Sequence, residues 1–121
     1  MAENKKTVLI VDDAKFMREI LKGIIVKGGF EVAGEASNGK QAIELYQKLK
    51  PDLVTMDIIM PVMDGLTALG EIKKIDTNSR VFMITALDQE ALQEEARKLG
   101  AAGFISKPFR QGDVLRALYF S

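Results

Sequence analysis

Five short apolar runs alternate with five segments of helical periodicity, and this alternation restricts the fold more than any other feature of the sequence. The runs are rich in valine, isoleucine and leucine, as is typical of strands that are covered on both faces. They occupy residues 8–11, 32–36, 53–56, 81–84 and 103–106. Strict alternation of strands and helices predicts an α/β fold, in which a doubly wound, five-stranded parallel sheet carries helices on both faces.

The predicted helices begin and end at residues that suit helix termini. The first, second and fourth helical segments are followed by residues that stop helices, namely Gly28, Pro51 and Gly100. Asp64 and Asp88 stand before the third and fourth segments, where a short polar side chain commonly caps the first turn. We therefore expect Asp64 and Asp88 to be helix N-caps.

The composition indicates one domain and excludes several kinds of chemistry. The chain has 121 residues, of which 47% are apolar, so we expect one hydrophobic core and one domain over residues 1–121. Basic and acidic residues number 17 each, and this balance argues against a nucleic-acid-binding protein. Cysteine and histidine are absent, which excludes disulfides, thiolate metal sites and imidazole catalysis by this chain. Its chemistry must therefore use carboxylate, hydroxyl and ammonium groups.

Polar residues follow the predicted inner strands at the ends where ligands bind in such folds. Open parallel sheets bind ligands beyond the carboxyl ends of their strands, at the point where the strand order reverses. Right-handed crossovers leave few strand orders, and in one common doubly wound order, 2-1-3-4-5, this point lies between the first and third strands. The residues after the first, third, fourth and fifth strands are Asp12, Asp13, Asp57, Thr85 and Lys107. Each could be a cap or a solvated charge, but their placement on one rim favours a site.

The charges on this rim predict a magnesium-dependent phosphoryl acceptor. Three carboxylates at contact distance repel one another unless a cation lies among them. All-oxygen ligands suit Mg²⁺, which binds one or two carboxylates, waters and a phosphate oxygen. An ionised Asp57 could attack phosphorus, while Lys107 and Thr85 would neutralise and hydrogen-bond the phosphoryl oxygens. The sequence has no glycine-rich phosphate loop, which argues against ATP as the donor.

Four stretches of the sequence resemble the receiver domain of two-component response regulators. They are residues 9–13 (LIVDD), 52–57 (DLVTMD), 60–65 (MPVMDG) and 107–109 (KPF). The resemblance covers essentially the whole chain, in the order and spacing of the family. Residues 12–18 and 51–57 are most similar to stand-alone chemotaxis regulators of the CheY type, a familiar example of the flavodoxin-like strand order 2-1-3-4-5.

The resemblance implies a phosphorylated aspartate beside a metal. Asp57 matches the aspartate that receivers phosphorylate. Asp13, Asp57 and the backbone carbonyl of Ile59 match the Mg²⁺ ligands of the family, and Asp12 matches the residue that holds a metal-bound water. Ile59 and Leu87 also match two positions that influence dephosphorylation. Both are aliphatic here and cannot orient an attacking water, so we expect a comparatively long-lived phosphoryl group.

The resemblance also implies how the phosphoryl group is contacted and how the domain switches. Thr85, Lys107 and the backbone amide of Ala86 match the groups that contact it. The bond from Lys107 to Pro108 matches one that is usually cis in the family, which would turn the lysine into the site. In receivers the residue that matches Thr85 moves toward the phosphate, and an aromatic residue, here Phe104, rotates inward behind it. The expected readout surface is the fourth helix, the fifth strand and the fifth helix.

The expected partners follow from the same resemblance. They are a sensor histidine kinase whose phosphohistidine is the donor, an output protein such as a flagellar switch component, and a phosphatase. We expect a monomer without nucleic-acid or membrane binding, which catalyses only its own phosphorylation and dephosphorylation. No apolar run suits a signal peptide or a membrane span, so the expected location is the cytoplasm.

Four alternatives stay open on sequence grounds. The first is a stand-alone receiver that serves as a phosphorelay intermediate or regulator outside chemotaxis. The second is a haloacid-dehalogenase-type phosphohydrolase, but such enzymes have a nucleophile after the first strand and a second aspartate where this chain has Ile59. The third is a flavodoxin-like cofactor carrier, which the acidic loop after the first strand disfavours. The fourth is a degenerate receiver that acts only by docking.

Overall fold

In the computed structural model, which describes residues 5–120, five parallel strands form one sheet in the order β2-β1-β3-β4-β5. The strands are β1 (Thr7–Val11), β2 (Glu31–Ala36), β3 (Leu53–Met56), β4 (Val81–Thr85) and β5 (Gly103–Ser106). The predicted architecture and strand order are confirmed, and every strand begins and ends within one residue of its predicted limits. Because the order reverses between β1 and β3, the carboxyl ends of these neighbouring strands form the switch point of the sheet.

Five helices cover the sheet, with α1 and α5 on one face and α2, α3 and α4 on the other. They are α1 (Lys15–Lys27), α2 (Gly39–Leu49), α3 (Gly65–Ile75), α4 (Glu90–Lys98) and α5 (Gln111–Tyr119). Side chains alternate along β1, so Val8 and Ile10 pack toward α1 and α5 while Leu9 and Val11 pack toward the other layer. Within residues 5–120, no helix is long and apolar enough to cross a membrane.

The helix termini agree with the sequence in α3 but not in α4. Asp64 caps α3 as predicted, because its Oδ1 accepts a hydrogen bond from the amide of Thr67 at 2.8 Å. The prediction that Asp88 caps α4 is wrong. The helix begins at Glu90, so Gln89 occupies the cap position and makes no side-chain capping bond. Asp88 lies one position too early, since a capping oxygen must reach the second or third amide of the helix.

Gly65 begins α3 at a point where a side chain does not fit. Its amide donates a hydrogen bond to the carbonyl oxygen of Ile58 at 2.7 Å. A Cβ atom on residue 65 would overlap the carbonyl oxygen of Asp57 and lie 2.9 Å from its carbonyl carbon. Since these are backbone atoms that cannot move aside at low cost, the end of β3 and the start of α3 require glycine here.

We therefore expect Gly65→Ala to lower the free energy of unfolding by about 2–3 kcal/mol, as overpacking substitutions do. Gly70→Ala is the matched control in the same helix, because the nearest atom to a Cβ there is Leu99 Cδ2 at 3.8 Å. That control should be neutral or stabilising by up to about 1 kcal/mol. Urea unfolding followed by circular dichroism measures both variants, and equal stabilities would contradict the packing argument.

Tyr46 joins α2 to the end of α3 through a partly buried hydrogen bond. Its hydroxyl donates to Asp76 Oδ2 at 2.8 Å, and only 5% of the residue is exposed. Burial, reinforced by the Asp76 carboxylate, raises the pKa of Tyr46 to about 12. The hydrogen bond from Tyr46 in turn lowers the pKa of Asp76. The folded protein therefore retains this phenolic proton at a pH at which a free tyrosine has lost it.

We expect Tyr46→Phe to destabilise the protein by about 1–2 kcal/mol at neutral pH, because the lost hydrogen bond is to an ionised group. Above a pH of about 10, unfolded wild type releases the phenolic proton while folded wild type keeps it, so wild-type stability falls toward pH 12. The phenylalanine variant lacks this loss. Denaturant unfolding at neutral pH and at two pH values between about 10 and 12 measures the free energy of unfolding of both proteins. The difference between these free energies should shrink as the pH rises. A difference that stays constant would contradict the assignment.

Candidate functional site

The carboxyl ends of the strands bring the predicted rim residues to one edge of the sheet. Asp12 directly follows β1 and Asp57 directly follows β3, and these strands are neighbours in which Val11 pairs with Met56. Thr85 is the last residue of β4, and Lys107 follows the neighbouring strand β5. The parallel register therefore explains why residues from four separate parts of the sequence meet.

Lys107 is the cation that links two of the acidic side chains. Its Nζ lies 2.8 Å from Asp12 Oδ2 and 2.8 Å from Asp57 Oδ2, and its side chain is only 15% exposed. Burial by itself lowers the pKa of Lys107, but the hydrogen bonds to Asp12 and Asp57 outweigh it and leave the pKa above its ordinary value. The ammonium group is therefore charged at neutral pH. The peptide bond between Lys107 and Pro108 is cis.

Asp12, Asp13 and Asp57 form a carboxylate cluster that suits a divalent cation. One carboxylate oxygen from each residue lies within 4.8 Å of the others. Asp12 is buried, Asp57 is partly buried and Asp13 is exposed, so the cluster opens to solvent on the side of Asp13. Hard oxygen donors with room for water are the ligands that Mg²⁺ prefers, and the residues present therefore fit that ion. Ile59, whose carbonyl is the remaining predicted ligand, is 61% exposed.

The two inner carboxylates are held by backbone amides as well as by Lys107. Asp57 Oδ1 accepts a hydrogen bond from the amide of Ile58 at 2.7 Å, and Asp12 Oδ1 accepts one from Ala14 at 2.9 Å. The amide of Asp57 itself donates to the carbonyl of Val11 at 3.0 Å, which ties the end of β3 to the end of β1. Both side chains are therefore oriented before any ligand binds, as a site that reacts by positioning requires.

Thr85 is buried at the end of β4, with 1% of its surface exposed. Its Oγ1 accepts a hydrogen bond from the amide of Leu87 at 3.3 Å, a contact that uses an oxygen lone pair and not the hydroxyl proton. Ala86 is exposed beside it, and Leu87 packs against the core on the α2–α4 side. The roles of Thr85 and of the Ala86 amide in contacting a phosphoryl group stay predictions.

Phe104 lies on β5 between two surface grooves. Its ring is partly buried against the core on the α2–α4 side. One groove runs between α4 and β5, and the other lies between β5 and α5, where Phe120 also lines it. Space therefore exists on both sides of the ring, while its role as a switch stays a prediction.

Sequence reasoning missed Arg18, which contacts the site from α1. Its Nη1 donates to the carbonyl oxygen of Asp12 at 2.7 Å, and its Nε donates to Glu35 Oε1 at 3.0 Å. Arg18 lies in the stretch 12–18 that resembles chemotaxis regulators, but that stretch assigns it no contact with the site, and Glu35 lies in none of the matching stretches. The contact depends on how α1 packs beside β2, which local periodicity does not specify.

Strand order, an acidic cluster at the switch point and a lysine that bridges it together define the class of receiver-like signalling domains. The family model for the response regulator receiver domain matches residues 8–119, and the chain belongs to this family. Membership favours a signalling protein over the phosphohydrolase and flavin-carrier alternatives.

Individual relatives narrow this assignment to the chemotaxis regulators. The chain is 57% identical over 113 residues to chemotaxis protein CheY of Thermotoga maritima, covering 93% of this chain and 94% of that protein. It is 55% identical over 111 residues to chemotaxis protein CheY of Bacillus subtilis, covering 92% of each. Among solved structures, a CheX–CheY–BeF₃–Mg²⁺ complex from Borrelia burgdorferi matches with a TM-score of 0.93 and 39% identity, over 95% of this chain and 87% of that one. The chain is therefore closely related to the CheY chemotaxis regulators.

Proposed function

We propose that Asp57 accepts a phosphoryl group from a sensor-kinase phosphohistidine, and that this modification switches the binding of an output protein in chemotaxis. The observation that carries the proposal is the pair of 2.8 Å contacts from Lys107 to Asp12 and Asp57 at the switch point of a receiver fold. These contacts supply a nucleophile, its neutralising cation and a second acid in one pocket.

The transfer needs little beyond positioning. A carboxylate oxygen of Asp57 forms a bond to phosphorus while the phosphorus–nitrogen bond of the donor breaks. The bonding electrons return to the imidazole nitrogen of the donor, so no outside acid is required at Asp57. Lys107, released from Asp57 Oδ2, can then pair with an oxygen of the bound phosphoryl group. Thr85 would donate its hydroxyl proton to another.

Magnesium would be held by Asp13 and Asp57, by the carbonyl of Ile59, and by Asp12 through a water. When bound, the ion neutralises charge on the phosphoryl oxygens and so lowers the barrier to transfer. The carboxylate cluster supports this assignment, because within residues 5–120 Lys107 is the one cation that forms ion pairs with it, and these reach Asp12 and Asp57 but not Asp13. We propose that the reactions this protein promotes are its own phosphorylation and dephosphorylation.

Thr85 and Phe104 would transmit the conformational change from the phosphorylated pocket to the surface. Movement of Thr85 toward the phosphoryl group would open space behind β4, into which the ring of Phe104 could turn. That rotation would reshape the surface formed by α4, β5 and α5, where an output protein such as a flagellar switch component would bind. Phe104 lacks the hydroxyl that a tyrosine would offer to a partner, so burial of the ring must carry the signal.

Three partners are proposed, namely the donor kinase, the output protein and a phosphatase. The Borrelia burgdorferi relative was solved with CheX in the presence of BeF₃ and Mg²⁺, which supports a further protein that binds the phosphorylated state. The chemotaxis relatives favour this role over a relay intermediate outside chemotaxis. We propose that the chain acts as one domain and as a monomer.

Protein capture with and without beryllofluoride, a mimic of the aspartyl phosphate, tests the switch. Wild type with Mg²⁺ should retain at least one partner only when beryllofluoride is present, because the mimic requires Asp57. An Asp57→Asn bait should show no such dependence. Equal recovery by wild type under both conditions would refute a phosphorylation switch.

The lifetime of the phosphoryl group gives a further prediction. Ile59 is exposed near the pocket and cannot hydrogen-bond a water, so Ile59→Asn should speed loss of label from Asp57 by about fivefold. This is the rate change expected from one hydrogen bond of about 1 kcal/mol to the attacking water. Val62→Asn is the control in the same loop, since its φ of 68° accommodates asparagine. Decay of radiolabelled protein should be unchanged in the control, and the idea fails if Ile59→Asn also decays at the wild-type rate.

A further inference from the structure

Arg18 joins three elements around the acidic pocket. From α1 it donates through Nη1 to the carbonyl oxygen of Asp12 and through Nε to Glu35 on β2, at 2.7 and 3.0 Å. Its side chain is only 16% exposed, so solvent competes little with these bonds. Lys22, one turn later on α1, contacts the other oxygen of Glu35 at 3.1 Å. We call the pair Arg18 and Glu35 the α1–β2 clamp.

The atom that the clamp holds lies between the two acidic residues. The carbonyl of Asp12 belongs to the peptide unit that links Asp12 to Asp13, and this unit is planar. Because Arg18 fixes this carbonyl oxygen, it restricts the rotation of the peptide unit and so the directions of the Asp12 and Asp13 side chains. The amide of Asp12, which donates to the carbonyl of Ala36 at 3.0 Å, anchors the residue to β2 from its other side.

We propose that Arg18, oriented by Glu35, is a positioning residue that sets the Mg²⁺ affinity of the pocket and its preference for Mg²⁺ over Ca²⁺. The inference rests on the magnesium site of the proposed function. Mg²⁺ demands short, near-octahedral contacts, whereas Ca²⁺ accepts longer and more irregular ones. A loosened peptide between Asp12 and Asp13 should consequently weaken Mg²⁺ binding more than Ca²⁺ binding.

Charge alone predicts the opposite result. A guanidinium near the pocket repels a divalent cation, so its removal would tighten metal binding if electrostatics dominated. Glu35 lies 3.0 Å from Arg18 and, although it also pairs with Lys22 at 3.1 Å, offsets part of the guanidinium field. Weaker Mg²⁺ binding after removal of Arg18 would show that the geometric effect outweighs the repulsion that remains. The direction of the change in affinity therefore separates positioning from simple charge.

Isothermal titration of the full chain with MgCl₂ and with CaCl₂ tests the clamp. Arg18→Gln should raise the Mg²⁺ dissociation constant by about tenfold, a usual effect of losing a group that orients a metal ligand. The Ca²⁺ constant should change by a smaller factor. Arg18→Lys keeps the charge but cannot make both bonds with the fork geometry of arginine, so its Mg²⁺ constant should be intermediate. Lys22→Met is the matched control and should bind both ions as wild type does, because Lys22 contacts Glu35 and not Asp12.

Each other result has a defined meaning. If Arg18→Gln binds Mg²⁺ as tightly as wild type or more tightly, the positioning role of the clamp is refuted. The same holds if the substitution weakens the binding of Mg²⁺ and Ca²⁺ by equal factors. Neither result affects the proposed metal site. Wild type that binds no Mg²⁺, or binds it equally well after Asp57→Asn, overturns the proposed metal site and the clamp with it. Thermal unfolding of the metal-free variants checks that they fold, and Arg18→Lys carries the test if Arg18→Gln does not.

Discussion

An Asp57→Asn variant is expected to lose phosphoryl acceptance by several orders of magnitude, as enzymes do when a covalent nucleophile is removed. The amide is nearly the same size as the carboxylate and can still accept the hydrogen bond from Ile58, so the fold should persist. What it lacks is the ionised oxygen that attacks phosphorus. Incorporation of label from a phosphorylated kinase, or from acetyl phosphate with Mg²⁺, measures the loss.

The matched control is Asp52→Asn, at the opposite end of the same strand. Asp52 precedes β3, and its carboxylate accepts hydrogen bonds from the amide and hydroxyl of Thr7. An asparagine oxygen can accept them too, and no predicted rim residue is involved. This variant should incorporate label at the wild-type rate. Residual labelling of Asp57→Asn at a comparable rate would show that another residue is the acceptor.

Lys107→Met is expected to destabilise the metal-free protein by about 3 kcal/mol, near the lower limit for breaking a buried ion pair. The change leaves Asp12 and Asp57 without the ammonium that lies 2.8 Å from each, and Asp12 is 2% exposed. Saturating Mg²⁺ should remove at least about 1 kcal/mol of this loss, because the ion takes over the neutralisation. By linkage, the variant should bind Mg²⁺ about fivefold to tenfold more tightly than wild type.

Lys48→Met provides the control, since Lys48 is exposed in the last turn of α2, at the end of that helix far from the carboxyl edge of the sheet. It should change neither stability nor Mg²⁺ binding. Unfolding by urea at several Mg²⁺ concentrations gives both quantities for each protein. A destabilisation of Lys107→Met that is independent of Mg²⁺ would mean that the lysine and the metal do not share the same carboxylates. The variant should also transfer phosphoryl groups slowly, because the cation that pairs with the phosphoryl oxygens is missing.

The sequence could predict that the rim residues lie close together because this prediction depended on strand ends. Asp57 and Lys107 lie 50 positions apart, yet each follows an apolar run, and parallel strands place such positions on one edge. Prediction from sequence failed for the α4 cap, which depends on the exact residue at which the helix begins, and for the Arg18 contact, which depends on helix packing. Asp88 misses the cap position of α4 by one residue, and Arg18 reaches Asp12 only because α1 packs beside β2.

The amino-acid sequence by itself determined the order of strands and helices, the single parallel sheet and the acidic and basic groups at its strand ends. It could do so because periodicity and helix-stopping residues act over short stretches of chain. Only the tertiary structure decided that Lys107 bridges Asp12 and Asp57, that Gly65 must lack a side chain, and that Arg18 holds the peptide beside the acidic pocket. These contacts join residues from separate elements, and their distances depend on how helices pack across the sheet, which no local pattern encodes.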